Sequence, residues 1–166
     1  IYAMSHYGQK DYILAGYYFN RYFKSYPKTE QAEEALFMSA YSSYLDSPRS
    51  SLDQETTVDA IQKMKLFISR FPASEKVEEA YERIDEMEGR LELKAFEMAK
   101  LYMKMSDYRA SIASLEAFIK QYQLNDYHEE ALFLIIKANY EYAINSIAAR
   151  QEERFSNTSE AYIDFI

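Results

Sequence analysis

The sequence contains no cysteine and no tryptophan, and only three glycines, three prolines and two histidines in 166 residues. The absence of cysteine excludes thiol chemistry and cysteine-ligated zinc, and leaves the redox compartment open. So few glycines and prolines cannot punctuate the many turns of a β-sandwich or barrel, which moves the expected fold class to all-α. Gly8, Gly16 and Gly89 are scattered, so neither G-x-G-x-x-G nor G-x-x-x-x-G-K occurs and a Gly-rich phosphate loop is excluded. Cations are scarce as well: 19 Lys and Arg stand against 27 Asp and Glu, a net charge of −8, which argues against binding duplex nucleic acid. No stretch of about eighteen apolar residues is present. What the chain has in excess is aromatic: seventeen Tyr and ten Phe within a 48% hydrophobic composition, enough for one domain with a core, expected to span residues 1–166.

Three segments align without gaps, residues 22–35, 67–80 and 118–131, at offsets of 45 and 51. Each reads as a helix ending, a tight turn and a helix beginning. An aromatic closes the first helix (Tyr26, Phe71, Tyr122), and Pro27 or Pro72 stops it by lacking an N–H and restricting the residue before it; Gln123 stands there in the third copy. Thr29, Ser74 and Asn125 are expected to cap the following helix, with Glu30, Glu75 and Asp126 placed where the helix dipole favours negative charge. Upstream, Ala15-Phe19-Tyr22, Ala60-Met64-Phe67 and Ser111-Leu115-Phe118 repeat a small, large, large spacing on one helical face.

That spacing, ending in an aromatic and Pro, resembles the second helix of a tetratricopeptide repeat, with Lys10-Asp11-Tyr12 and Ser106-Asp107-Tyr108 at the turns joining the helices of a hairpin. The expected architecture is a tetratricopeptide-repeat-like α-solenoid of antiparallel helical hairpins. Its usual period is about 34 residues, so both intervals carry extra chain. The first houses it in the loop-forming stretch 46–55. The second is expected to be helical, because Val77, Tyr81, Ile84, Met87, Leu91, Ala95, Met98, Tyr102 and Met105 follow at steps of three and four, predicting one helix over about 75–105. Glu79/Arg83 and Glu86/Arg90 are spaced to support its exposed face. Thr158, Tyr162 and Phe165 begin another copy, and the first helix is entered midway, so a longer protein is expected on both sides.

Little chemistry is spelled out. His6 and His128 lack an H-E-x-x-H context, and the acidic pairs Glu33/Glu34, Glu78/Glu79 and Glu129/Glu130 recur in every copy, as scaffold features do. No cofactor, metal or catalytic group is expected, and the chain reads as non-enzymatic. In tetratricopeptide arrays the first helix of each hairpin lines the concave face. Carrying that register over places Met4, Tyr7, Phe37, Tyr41, Tyr44, Phe96, Lys100, Met103, Phe133, Lys137 and Tyr140 along a peptide groove, with core packing the competing reading at each position.

The insert with Leu52-Asp53-Gln54, a Thr-rich helix start before Ala60-Ile61, then Phe67-Ile68, Phe71-Pro72, Ser74 and Glu78-Glu79-Ala80, and a long helix leading to Ala99 and Tyr102, resembles the BamD family, in a Bacteroidetes-like version, over residues 1–150. The resemblance implies a periplasmic scaffold on the bacterial outer membrane, part of the β-barrel assembly machinery. It further implies an acylated N-terminal Cys, absent from this sequence, as the membrane anchor. The implied partners are the POTRA domains of a BamA subunit and unfolded outer-membrane proteins. The other readings are a different tetratricopeptide adaptor of the envelope or cytosol, and a repeat appendage of a larger enzyme.

Overall fold

A computed structural model of the chain describes residues 1–123 and 126–166 and is helical throughout, without a strand among the described residues. Its helices are α1 (Tyr2–Gly8), α2 (Tyr12–Ser25), α3 (Gln31–Asp46), α4 (Glu55–Arg70), α5 (Val77–Lys104), α6 (Tyr108–Gln121), α7 (His128–Ile144) and α8 (Ala148–Phe165). Neighbouring helices pack side by side, α1 on α2, α2 on α3 and α3 on α4, then α6 on α7 and α7 on α8, the helix pairing of a tetratricopeptide-like fold. Two compact units result, Ile1–Leu91 and Glu92–Ile166, and α5 contributes a segment to each.

The hairpin turns are built alike. After α1 the N–H of Lys10 donates to the Tyr7 carbonyl and that of Asp11 to His6, and after α5 Ser106 and Asp107 make the same pair of bonds to Met103 and Tyr102. This is the Schellman closure, whose pivot residue is left-handed: φ is 61° at Lys10 and 59° at Ser106. Asp11 and Asp107 then cap α2 and α6, each accepting through its carboxylate from the N–H three residues on, of Leu14 at 3.3 Å and Ala110 at 3.1 Å.

The turns between hairpins close on the aromatics that the sequence singles out: Tyr26, Phe71 and Tyr122 are the C-caps of α2, α4 and α6. The expected Thr29 cap does not form. Its hydroxyl turns back and donates to the Tyr26 carbonyl at 2.9 Å, a local bond that competes with capping, and α3 starts from Glu30 without a side-chain cap. Ser74 does accept from a free N–H, that of Lys76 at 3.1 Å, and donates to Glu33 at 2.6 Å. Asn125 lies outside the described residues.

In the first unit Ala15, Phe19, Leu36, Phe37, Ala60, Met64, Phe67, Ala80, Ile84 and Met87 form one core. Gly16 lets α3 come close to α2: a Cβ there would stand 3.4 Å from the Ser39 carbonyl oxygen, and the Ser39 hydroxyl donates to the Gly16 carbonyl at 3.0 Å. The insert is stapled by buried Gln54, whose amide donates to the carbonyls of Arg49 (2.8 Å) and Leu52 (3.1 Å) and accepts from Thr57 (2.8 Å). In the second unit Phe96, Ala99, Leu115, Phe118, Ala131 and Ile135 form the core. Buried Ser111 donates to the Ala99 carbonyl at 3.0 Å.

Four expectations are corrected. Tyr22 is 36% exposed where its equivalent Phe67 is 0%, and neighbouring Phe23 packs against the core instead. The apolar stripe of α5 does slip. The buried residues are Ala80, Ile84 and Met87, then Phe96 and Ala99, while Tyr81, Met98 and Met105 are exposed; each half of the helix serves the core of its own unit. Arg83 pairs with Glu86 (3.1 Å) and Glu82 (3.5 Å) in place of Glu79, whereas the Glu86–Arg90 pair forms at 2.7 Å. In α8 it is Ala161, not exposed Tyr162, that packs against the core.

Candidate functional site: an aromatic ladder under two guanidinium groups

On α3, residues four and then three apart share one helix face. The rings of Phe37 and Tyr41 accordingly stack at 5.6 Å between centroids, and those of Tyr41 and Tyr44 lie at 5.5 Å. Cations cover both ends of this ladder. Lys76 sits over Phe37 at 4.8 Å and is paired with Glu34. Arg83 and Arg90 of α5 lie over Tyr44 at 5.5 and 5.4 Å. The Tyr44 hydroxyl donates to Glu86 Oε2 at 2.6 Å. The same carboxylate receives Arg83 Nη1 at 3.1 Å and Arg90 Nη2 at 2.7 Å, and Arg90 Nη1 donates to the Ser47 hydroxyl at 2.9 Å. Arg83 Nε is buried and has no acceptor.

The electrostatics follow from this geometry. The bond from Tyr44, then those from the two arginines, hold the Glu86 carboxyl below its ordinary pKa. Burial raises the Tyr44 hydroxyl, the bond to Glu86 raises it further, and Arg83 opposes both. Tyr7 of α1, 5.7 Å from the ring of Tyr12, is also raised, by burial first and then by Tyr41, Tyr12 and Glu79.

The eleven residues expected along a groove therefore separate. Tyr7, Tyr41 and Tyr44 lie half-buried in the first unit, the Tyr44 hydroxyl engaged by Glu86. Phe37 (4% exposed) and Phe96 (1%) are core residues and not groove residues, because α4 and α6 pack Phe67 and Phe118 against them, at 5.2 and 5.4 Å between ring centroids. Met4 is exposed at the rim of an apolar hollow of about 640 Å³ that also takes in Tyr2, Phe19, Tyr22 and Tyr26. In the second unit Lys100 lies 4.9 Å over Phe96 and bridges Glu97 and Glu130, and Met103 is half-buried. Phe133, Lys137 and Tyr140 form an exposed row on α7 that continues to Ile144, opposite the buried row of Ala131, Ile135 and Ala138.

Sequence reasoning missed Arg83, Glu86 and Arg90 as partners of Tyr44. Their spacing of three and four marks one face of α5, but a charged face reads as solvated surface until α3 is seen beside it. It also missed a hollow of about 650 Å³ between α6, α7 and α8, where Arg109 and Lys120 face Glu116, Glu160 and Asp164. Among the described residues no group of three or more acidic or histidine side chains is placed to hold a metal, and no helix is long and apolar enough to cross a membrane.

A family model described as "YfiO: Outer membrane lipoprotein" matches residues 1–155. The chain belongs to this family. Two curated relatives bear the name "Outer membrane protein assembly factor BamD". The one from Caulobacter vibrioides is 25% identical over 146 residues, 88% of this chain and 48% of its own length. The one from Helicobacter pylori is 29% identical over 72 residues, 43% of this chain and 33% of its own. The chain thus spans half or less of the YfiO-family relatives it matches, and the aromatic ladder and its arginines fall within the matched segment.

Proposed function

We propose that the chain is a non-catalytic scaffold of outer-membrane protein assembly, working at the periplasmic face of the outer membrane as part of a lipid-anchored protein. Membership of the YfiO family and the assembly-factor name of both relatives support this placement. Unfolded outer-membrane proteins are held as extended peptides on the face formed by Tyr7, Tyr41 and Tyr44. The exposed row Phe133, Lys137 and Tyr140 receives the POTRA domains of a BamA-like partner.

The observation that carries the peptide reading is the Tyr41–Tyr44 step of the ladder. Rigid, half-buried rings offer apolar area at low entropic cost, and the Tyr41 hydroxyl can meet a peptide group. Binding of fluorescein-labelled peptides from outer-membrane-protein C-termini tests it. The Tyr41→Ala/Tyr44→Ala variant is expected to lose about tenfold or more in affinity, the range of one or two interface anchors, with helix content and melting cooperativity kept. Unchanged affinity in a folded variant overturns the assignment.

A further inference from the structure

We propose that Glu86 is an internal stand-in for a ligand carboxylate. In the free chain it fills a cradle made by Arg83, Arg90 and the Tyr44 hydroxyl, and a peptide lying on Tyr41 and Tyr44 displaces it with a carboxylate of its own. The inference rests on the peptide-binding reading and adds a chemical class to it.

Four observations carry it. The cradle is complete for a carboxylate: Glu86 accepts from a phenol at 2.6 Å and from two guanidinium groups at 2.7 and 3.1 Å, a donor set that recognises the group whatever chain it belongs to. The cations are anchored independently of Glu86, since both lie over the Tyr44 ring and Arg90 also holds Ser47. The anion is the looser member: its side chain is 43% exposed, against 28% for Arg83 and 24% for Arg90, so it can swing into water while the arginines stay. Finally, Arg83 Nε is buried without an acceptor, which is unusual for a charged donor; a carboxylate arriving side-on along the Nε edge after Glu86 has left would satisfy it. Glu82 remains 3.5 Å from Arg83, so the cluster is neutral with Glu86 in place and carries one positive charge once it swings away.

Exchange of one carboxylate for another is cheap, because a half-exposed ion pair contributes little net stability. Glu86 therefore weakens binding of every peptide carboxylate and leaves neutral peptides unaffected. That selectivity separates a stand-in from a residue that merely braces α5.

The test measures affinity of the full 166-residue chain at low salt for one outer-membrane-protein C-terminal peptide in three forms: unmodified, C-terminally amidated, and amidated with Asp and Glu replaced by Asn and Gln. Glu86→Gln keeps an acceptor for Tyr44 and removes the charge. It is expected to tighten binding of carboxylate-bearing peptide by about threefold to tenfold, the scale of one surface ion pair, and to leave the carboxylate-free form unchanged. A gain confined to the unmodified form assigns the chain terminus as the source, and a gain kept on amidation assigns an acidic side chain. If Glu86→Gln gives no gain, or an equal gain with the carboxylate-free form, the stand-in is refuted. The peptide reading then survives provided that Tyr41→Ala/Tyr44→Ala still weakens binding about tenfold or more. If the unsubstituted chain binds none of the three forms, both fall.

Discussion

The two units use the same device to different ends. In the second, Lys100 lies over the ring of Phe96 and is paired with Glu97 and Glu130; in the first, Arg83 and Arg90 lie over Tyr44 and share Glu86, with Glu82 beside Arg83. Phe96 is buried, stacked on Tyr127 at 4.8 Å and close to Phe118, and its cation is a compact ammonium that seals a core. Tyr44 is half-buried, carries a hydroxyl already engaged by a carboxylate, and faces planar donor forks. A cation over an aromatic ring therefore does not by itself mark a binding site. The added hydroxyl, the fork geometry and partial exposure make the difference.

The largest expected effect separates the two rings directly. Phe96→Ala removes a fully buried aromatic and is expected to cost about 3–5 kcal/mol, whereas Tyr44→Ala, at a half-exposed site, is expected to cost about 1 kcal/mol. Urea unfolding followed by helix content reads both, and equal losses would erase the distinction between packing ring and recognition ring. A smaller effect tests what the units share. A non-Gly residue in the left-handed region costs about 1–2 kcal/mol, and a glycine's extra unfolded-state entropy takes back about 0.4–1 kcal/mol. Lys10→Gly and Ser106→Gly should therefore each stabilise by about 0.5–1 kcal/mol. A gain at one turn only would show that the matched Schellman closures are not energetically equivalent.

Most of the fold was legible because it is written in local chemistry that each repeat must restate. The C-cap aromatics, the hairpin turns at Lys10-Asp11-Tyr12 and Ser106-Asp107-Tyr108, the insert before Glu55 and the long α5 all follow from residues within a few positions of each other. The errors came where a side chain chose between near-equal options. The Thr29 hydroxyl took a carbonyl behind it over an N–H ahead, and Tyr22 yielded its inward place to Phe23. The α5 stripe misled differently, since Met98 and Met105 are apolar without being buried and Phe96 was masked by their rhythm. Of the candidate site, the tyrosines were legible from their register on α3. Arg83, Glu86 and Arg90 were not, because their meaning depends on which ring α5 meets across the helix pair, a long-range fact absent from spacing along one helix.

The smallest effect sets the two clusters at opposite ends of the pH scale. Glu86 has a folded pKa depressed below its ordinary 4.5, by the Tyr44 bond first and Arg90 next, so its contribution is present above pH 4.5 and is lost as pH falls through the folded value. Lys100 has a folded pKa raised above 10.5, mainly by its bond to Glu130 against the opposing pull of burial, so its contribution is present below pH 10.5 and is lost as pH rises through the folded value. Solvent screening limits each to a few tenths of a kcal/mol, about the worth of an exposed pair. Melting temperatures across pH of the unsubstituted chain, Glu86→Gln and Lys100→Met should show the first variant's deficit vanishing only in acid and the second's only in alkali. A deficit of Glu86→Gln that persists unchanged below the folded carboxyl value would mean that this side chain supports α5 through packing and not through its charge, and would leave the arginines over Tyr44 without the counter-ion on which the contrast between the two rings depends.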